Sequence, residues 1–318
     1  MRLHFWGTRG SLPVALIASQ VRAKVVAALT QAAGRNLATP EQVKAFVDTL
    51  GFDVAGTFGG HSPCMQVECG SDDEFLLCDL GSGARPFAQA TLKQRGGRPA
   101  TYHVLVSHMH WDHIMGFPFF TPAYIPGNKI RIYGCHAGLE MALRRQQDPP
   151  SFPVPLSVLR GDIQFIGLAP GTPVEIAGCT VTATPQQHSG DSYGYRIERG
   201  GKSLIYTTDT EHKLDEYGQT QRFVEFFRNA DAVVFDSMYS LADAMSVKED
   251  WGHSSNVIGV ELCQMAKAKR LLLFHHEPVF DDAQLMRILE ETRRFEQITR
   301  EDHPVEVLSA YDGLELEL

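Results

Sequence analysis

The chain lacks any run of eighteen apolar residues, so no membrane-spanning helix is expected. Its first residues, Met1-Arg2-Leu3-His4-Phe5-Trp6-Gly7, lack the basic-then-apolar layout of a signal peptide and read as a strand entering a glycine turn. The six cysteines (Cys64, Cys69, Cys78, Cys135, Cys179, Cys263) lack paired metal-ligand spacing. Most sit beside apolar strand-like residues, which reads as buried free thiols and fits a reducing, cytoplasmic setting. Positive charge is in short supply. Lys and Arg number 29 against 38 Asp and Glu, a net charge of −9 over 318 residues. That balance argues against a long nucleic acid as partner, because neutralising many phosphates needs a basic face. Internal repeats and low-complexity segments are also missing. What is there is an ordinary mixture, 43% apolar and 21% charged, long enough to bury a sizeable core.

Short strand-like runs recur: Phe75 to Asp79, Tyr102 to Val106, Ile130 to Tyr133, Gly178 to Ala183, Tyr193 to Ile197, Ser203 to Tyr206, Ala232 to Phe235 and Arg270 to Phe274. Helical patterns cover Asn256 to Ala268 and Asp282 to Gln297. Strands and helices interleave without a strict βαβ rhythm, so the expectation is two sheets with helices outside them. Residues 14–56 stand apart. Ile17, Val21, Val25 and Leu29 recur at helix spacing before Gly34. Thr39-Pro40-Glu41-Gln42 is a capping box with proline at the first helical position, followed by an apolar face of Val43, Phe46, Val47 and Leu50. This reads as a helical hairpin inserted between the first two strands. Its expected role is a cover on the flank of one domain spanning 1–318, with a lid or a homodimer contact as alternatives.

Against this background Ser107-His108-Met109-His110-Trp111-Asp112-His113 stands out. Four potential ligands in six positions are costly to bury unpaired. On a strand His108 and His110 share a face, and Asp112 and His113 follow where the chain turns. Imidazole and carboxylate together suit zinc, iron or manganese.

The His-x-His-x-Asp-His pattern after an apolar strand resembles the signature of the metallo-β-lactamase superfamily. Further stretches resemble it in family order: Asp79-Leu80-Gly81-Ser82-Gly83, Gln187-His188-Ser189-Gly190, Tyr206-Thr207-Thr208-Asp209-Thr210 and Leu273-Phe274-His275-His276. The resemblance implies an α/β (α+β) fold, a four-layer αββα sandwich, here with the inserted hairpin. It also implies two divalent metal ions, zinc by default and manganese or iron otherwise. One would take His108, His110 and His188; the other Asp112, His113 and His275; Asp209 would bridge them. His275 and His276 compete for the last place, and His275 is preferred because it directly follows the apolar strand.

Val234-Phe235-Asp236-Ser237-Met238-Tyr239, then Lys248 and Trp251-Gly252-His253-Ser254-Ser255, resembles the phosphodiesterase branch, which includes ribonuclease Z and cyclic-phosphate phosphodiesterases. The resemblance pairs Asp236 with His253, which would protonate a leaving oxygen; Gly-His-Ser also reads as a cap for a helix starting near Asn256, through Ser254 or Ser255. Arg9, His61 and His212 are lesser candidates for contact with substrate or metals, and Phe152 for stacking on a base. Ribonuclease Z grips transfer RNA through a long basic, glycine-rich arm. Between Gly134 and Gly161 arginines are few and Gly138 is the only glycine. The expected activity is therefore a two-metal phosphodiesterase, with metal-bridged hydroxide attacking a small phosphodiester such as a cyclic nucleotide or cyclic phosphate. The catalytic residues would be Asp112, Asp236 and His253. A lactone or thioester hydrolase of the same fold and a tRNA 3′-processing endoribonuclease are the alternatives.

Overall fold

A computed structural model describes residues 1–212, 217–239 and 252–318. Lys248 and Trp251 lie outside the described residues. Two seven-stranded sheets face each other. The first runs β14-β1-β2-β3-β4-β5-β6 and the second β13-β12-β11-β10-β9-β8-β7. In the first sheet, β1 (Arg2–Gly7), β2 (Cys64–Glu68) and β14 (Glu315–Glu317) are antiparallel. Strands β3 (Glu74–Cys78), β4 (Thr101–Leu105), β5 (Lys129–Gly134) and β6 (Asp162–Gly167) run parallel. The second sheet repeats this plan. Strands β7 (Val174–Ile176), β8 (Cys179–Pro185), β9 (Tyr193–Arg199) and β10 (Lys202–Thr207) are antiparallel. Strands β11 (Ala232–Asp236), β12 (Arg270–Phe274) and β13 (Glu306–Ser309) continue parallel to β10.

The unbroken apolar runs are explained by burial on both faces. Successive side chains point to opposite sides of a strand. Leu76, Leu204, Tyr206, Val234, Leu272 and Phe274 therefore enter the core between the sheets. Their neighbours Ile205, Val233, Phe235, Leu271 and Leu273 turn outward under three helices. These helices are α7 (Tyr217–Phe227), α8 (Asn256–Met265) and α9 (Asp282–Thr299). Leu77 and Val104 do the same under α4 (Ala84–Arg95) and α6 (Leu139–Gln147). Helix, sheet, sheet, helix is the expected layering. The six cysteines are free thiols; the sulfurs of Cys69 and Cys179 lie 3.3 Å apart between the sheets.

Residues 14–56 form α1 (Ala18–Ala32), α2 (Pro40–Val47) and a single turn, α3 (Phe52–Ala55). The capping box is present: Thr39 Oγ1 accepts from Gln42 N–H and Gln42 Oε1 accepts from Thr39 N–H. The orientation of α1 differs from that of a simple cover. Ile17, Val21, Val25 and Leu29 face solvent, and the side turned inward carries Lys24, Ala27 and Ala28. Polar anchoring decides this rotation. Lys24 Nζ donates to the carbonyls of Asp53 and Gly56 and pairs with Asp282 at 2.7 Å.

Strands β3, β4, β10, β11 and β12 all end at one rim of the sandwich, and the chemistry-bearing residues follow those ends. Asp79, Asp209 and His275 each leave their strand with positive φ, 61°, 45° and 60°. A non-glycine residue held there costs on the order of 1–3 kcal/mol, so the surrounding contacts must fix each one.

Candidate metal centre

The loop after β4 presents Ser107 and His108 fully buried, then His110 at the entry of a short helical turn, α5 (Trp111–Ile114), which carries Asp112 and His113. The donor atoms of His108, His110, His188 and Asp209 lie within 4.8 Å of one another. Those of Asp112, His113, Asp209 and His275 do the same, and Asp209 belongs to both groups. Segments well separated in sequence, from His108 to His275, thus deliver every residue of the expected ligand set to one place.

The rings are held from behind. Asp79 accepts from Ser107 N–H at 2.8 Å, Ser107 Oγ at 2.7 Å and Tyr206 OH at 2.8 Å. A carboxylate so loaded with donors is an acceptor for His113 Nδ1 as well, at 2.8 Å. The proton is then on Nδ1, and Nε2 turns its lone pair to the cluster. His108 Nδ1 lies 3.1 Å from Ser107 Oγ, again leaving Nε2 inward. His188 Nδ1 donates to Gly252 O at 2.7 Å. Asp112 Oδ2 accepts from Ser11 N–H at 2.8 Å, and Thr208 Oγ1 donates to Asp209 Oδ1 at 2.7 Å.

The residues fit divalent cations. His108 Nε2 and His113 Nε2 are buried and make no hydrogen bond, although His113 Nε2 sits 3.2 Å from Asp112 Oδ2 and 3.1 Å from Asp209 Oδ1. His275 Nε2 is 3.2 Å from each of the same two carboxylates. Ring nitrogens and carboxylates crowd together here with buried donor atoms left over, and buried groups of this kind call for a shared cation. Burial lowers the pKa of His108, His110 and His188, which keeps them neutral and able to ligate. Burial also disfavours a charged His113, yet Asp209, Asp112 and Asp79 overcome it and raise its pKa well above the ordinary value. The same negative potential attracts a metal ion. Imidazole with carboxylate suits zinc, iron or manganese.

Beside this cluster stands a second pair. His253 Nδ1 is 2.8 Å from Asp236 Oδ2, and Asp236 is fully buried and also accepts from Thr210 N–H and Met238 N–H. The His253 ring stacks on His275 with centroids 5.2 Å apart and lies 5.0 Å from His188. Burial opposes its protonation, but Asp236 prevails and raises its pKa to about 9. Each residue of Gly252-His253-Ser254-Ser255 has its own task. Gly252 orients His188, His253 meets Asp236, Ser254 Oγ donates to Thr210 O at 2.6 Å, and Ser255 caps α8 through Ile258 N–H. The cap and the Asp236–His253 pair coexist.

The lesser candidates lie elsewhere. Arg9 is buried and spends its guanidinium on the carbonyls of Gly59, Glu277 and Phe280, because the turn after β1 needs closing. His276 points away from the cluster and meets Ala310 O at 2.8 Å. His212 is packed among Phe223, Phe227 and Phe235. His61 Nδ1 lies 3.1 Å from Ser82 Oγ, and Phe152 packs edge-on against Phe119. Asp79, Ser107 and Tyr206 stand in stretches quoted for the resemblance but had no supporting role assigned to them there, and neither had Ser11. Asp79 had a usable signal: it ends an apolar strand, as do Asp209 and Asp236.

Among known proteins, residues 75–276 match the family described as beta-lactamase superfamily domain. A ribonuclease Z of Thermoplasma acidophilum is 32% identical over 113 residues, 34% of this chain and 34% of that protein. A ribonuclease Z of Acaryochloris marina is 25% identical over 254 residues, 64% of this chain and 77% of that protein. Among solved structures, the metallo-beta-lactamase fold protein YhfI from Bacillus subtilis is similar in fold, with a TM-score of 0.63 and 20% identity over 100% of this chain and 98% of that one.

Proposed function

The chain belongs to the beta-lactamase superfamily, and from that premise we propose that it is a metal-dependent phosphodiesterase acting on a small phosphodiester such as a cyclic nucleotide or cyclic phosphate. His108, His110 and His188 would hold one ion, Asp112, His113 and His275 the other, with Asp209 shared. Bound there, divalent ions would supply Lewis acidity toward phosphoryl oxygens and lower the pKa of water toward neutrality.

The observation that carries the reading is the Asp236–His253 pair beside both ligand groups. Asp236 holds the Nδ1 proton, so the Nε2 edge of His253 is the one available to a substrate. Phosphodiester cleavage expels an alkoxide, a poor leaving group unless protonated. An imidazolium fixed by a carboxylate is suited to that transfer. Water adds to phosphorus, the bond to the leaving oxygen breaks, and that oxygen takes the His253 proton. The proton left by the attacking water restores the balance through solvent. Thioester hydrolysis, which expels a thiolate, has less use for such an acid.

A second reading, processing of RNA 3′ ends, is favoured by the ribonuclease Z relatives. Substrate size separates the two. The segment between Gly134 and Gly161 packs as α6 and a loop whose Phe152 meets Phe119, with Leu139, Leu143 and Leu156 in the core, not as a projecting basic arm. Together with the net charge of −9, this supports the small substrate. The test is turnover of 2′,3′- and 3′,5′-cyclic nucleotides and bis-p-nitrophenyl phosphate beside a precursor tRNA, a lactone and a thioester, using metal-analysed protein. Cleavage of the small diesters is expected. Turnover of only the lactone or thioester contradicts the phosphodiesterase reading, and cleavage of only the RNA contradicts the small-substrate reading.

A further inference from the structure

The inserted hairpin is built to be covered, yet among the described residues nothing covers it. Helices α1 and α2 contain no buried residue. Leu12, Leu16, Ile17, Val21, Val25, Val26, Leu29, Val43 and Val47 are each 41–66% exposed. Monomers seldom leave a contiguous apolar patch of more than a few hundred Å². Valines are also poor helix formers when nothing packs on them, so Val21, Val25 and Val26 cost α1 stability for no return in an isolated chain.

We propose that this face docks a second copy of the same chain, α1 against α1 about a two-fold axis. Its area has the right size: these nine side chains expose on the order of 800 Å², about what each partner contributes to a standard stable interface. A two-fold contact brings one patch onto itself, which suits a surface that is apolar along its centre. Its flanks carry both signs, with exposed Arg22 on α1 and exposed Glu41 on α2. A lipid surface fits less well. Membrane-lying helices carry a strongly basic polar face and aromatic anchors. Helix α1 has Arg22 and Lys24 alone, Lys24 is engaged with Asp53, Gly56 and Asp282, and no aromatic lies on the stripe. The inference does not depend on which substrate is cleaved.

Sedimentation velocity on the full chain, across a micromolar dilution series, tests it. The wild type is expected to sediment as a dimer. Val21→Glu with Val25→Glu should weaken association about a hundredfold or more, because carboxylates would be buried unpaired. Both positions are exposed in one copy, so near-ultraviolet circular dichroism and metal content should stay unchanged. Val25→Cys, placed near the axis, should form an intermolecular disulfide on mild oxidation with loss of two thiol hydrogens to the oxidant, such as oxidised glutathione. A wild type that is monomeric throughout, a dimer indifferent to the glutamates, or a monomer that floats with phosphatidylcholine/phosphatidylglycerol vesicles would each overturn the proposal.

Discussion

Gly252 and His188, 64 residues apart, meet through a 2.7 Å hydrogen bond from the imidazole Nδ1 to the glycine carbonyl. The glycine is required twice over. Its φ is +81°, and a Cβ there would stand 2.5 Å from the same Nδ1. Gly252→Ala should therefore rotate His188 out of its group without unfolding the chain. Supporting contacts of this kind are worth about 10–100-fold in metal affinity. Competition titration with a chromophoric chelator should show one of two sites weakened by that factor; two unchanged sites would contradict the assignment of His188.

Asp79 holds His113, Ser107 and Tyr206 at once. Asp79→Ala leaves the Tyr206 hydroxyl and His113 Nδ1 buried without their acceptor, at roughly 1–3 kcal/mol for each unsatisfied group. Both the melting temperature and metal stoichiometry should fall, and added metal should recover only part of the melting temperature. Full recovery would mean that Asp79 acts on the ions alone.

The fold was legible where both sheet faces are covered, because the runs at Phe75, Tyr102, Ser203, Ala232 and Arg270 are mostly apolar. Strand β2, with Gln66 and Glu68 flanking Val67, and the half-exposed β6 carry no such signal and were missed. The nine residues expected at the site converge, since all but His253 follow a strand end and His253 leads into α8. The outward rotation of α1 was not legible. An apolar stripe reads the same whether it faces its own core or another molecule, and the deciding contacts of Lys24 lie 29 and more residues away.

His212 is fully buried among phenylalanines, and that burial lowers its pKa from 6.5 to about 3. Unfolded chains bind its proton below pH 6.5 while folded chains refuse it until about pH 3, so the neutral ring costs nothing above pH 6.5 and drains stability as pH falls toward 3. Between pH 7.5 and 4.5 the loss from this residue is about 2–3 kcal/mol. Urea unfolding at both pH values should show that His212→Phe removes a loss of this size; an identical pH dependence in wild type and variant would argue against a neutral buried ring.

Lys24 fastens α1 to the body, and its partner Asp282 is buried. Lys24→Met removes one side of a largely buried pair, an event that costs up to about 3–5 kcal/mol and here falls mostly on the hairpin. Hydrogen exchange should quicken across 18–32 while β3, β4 and β10 keep their protection. Uniform loss of protection would show instead that the hairpin is integral to the global unfolding unit.

The most direct test of the central claim compares His253→Ala with wild type on two diesters that differ in their leaving group. If His253 protonates the departing oxygen, hydrolysis of a cyclic nucleotide, which expels an alkoxide, should fall about 10²–10⁴-fold. Bis-p-nitrophenyl phosphate, whose phenolate leaves unaided, should lose far less, with metal content unchanged. Equal losses on both substrates, or none on either, would contradict the role given to the Asp236–His253 pair.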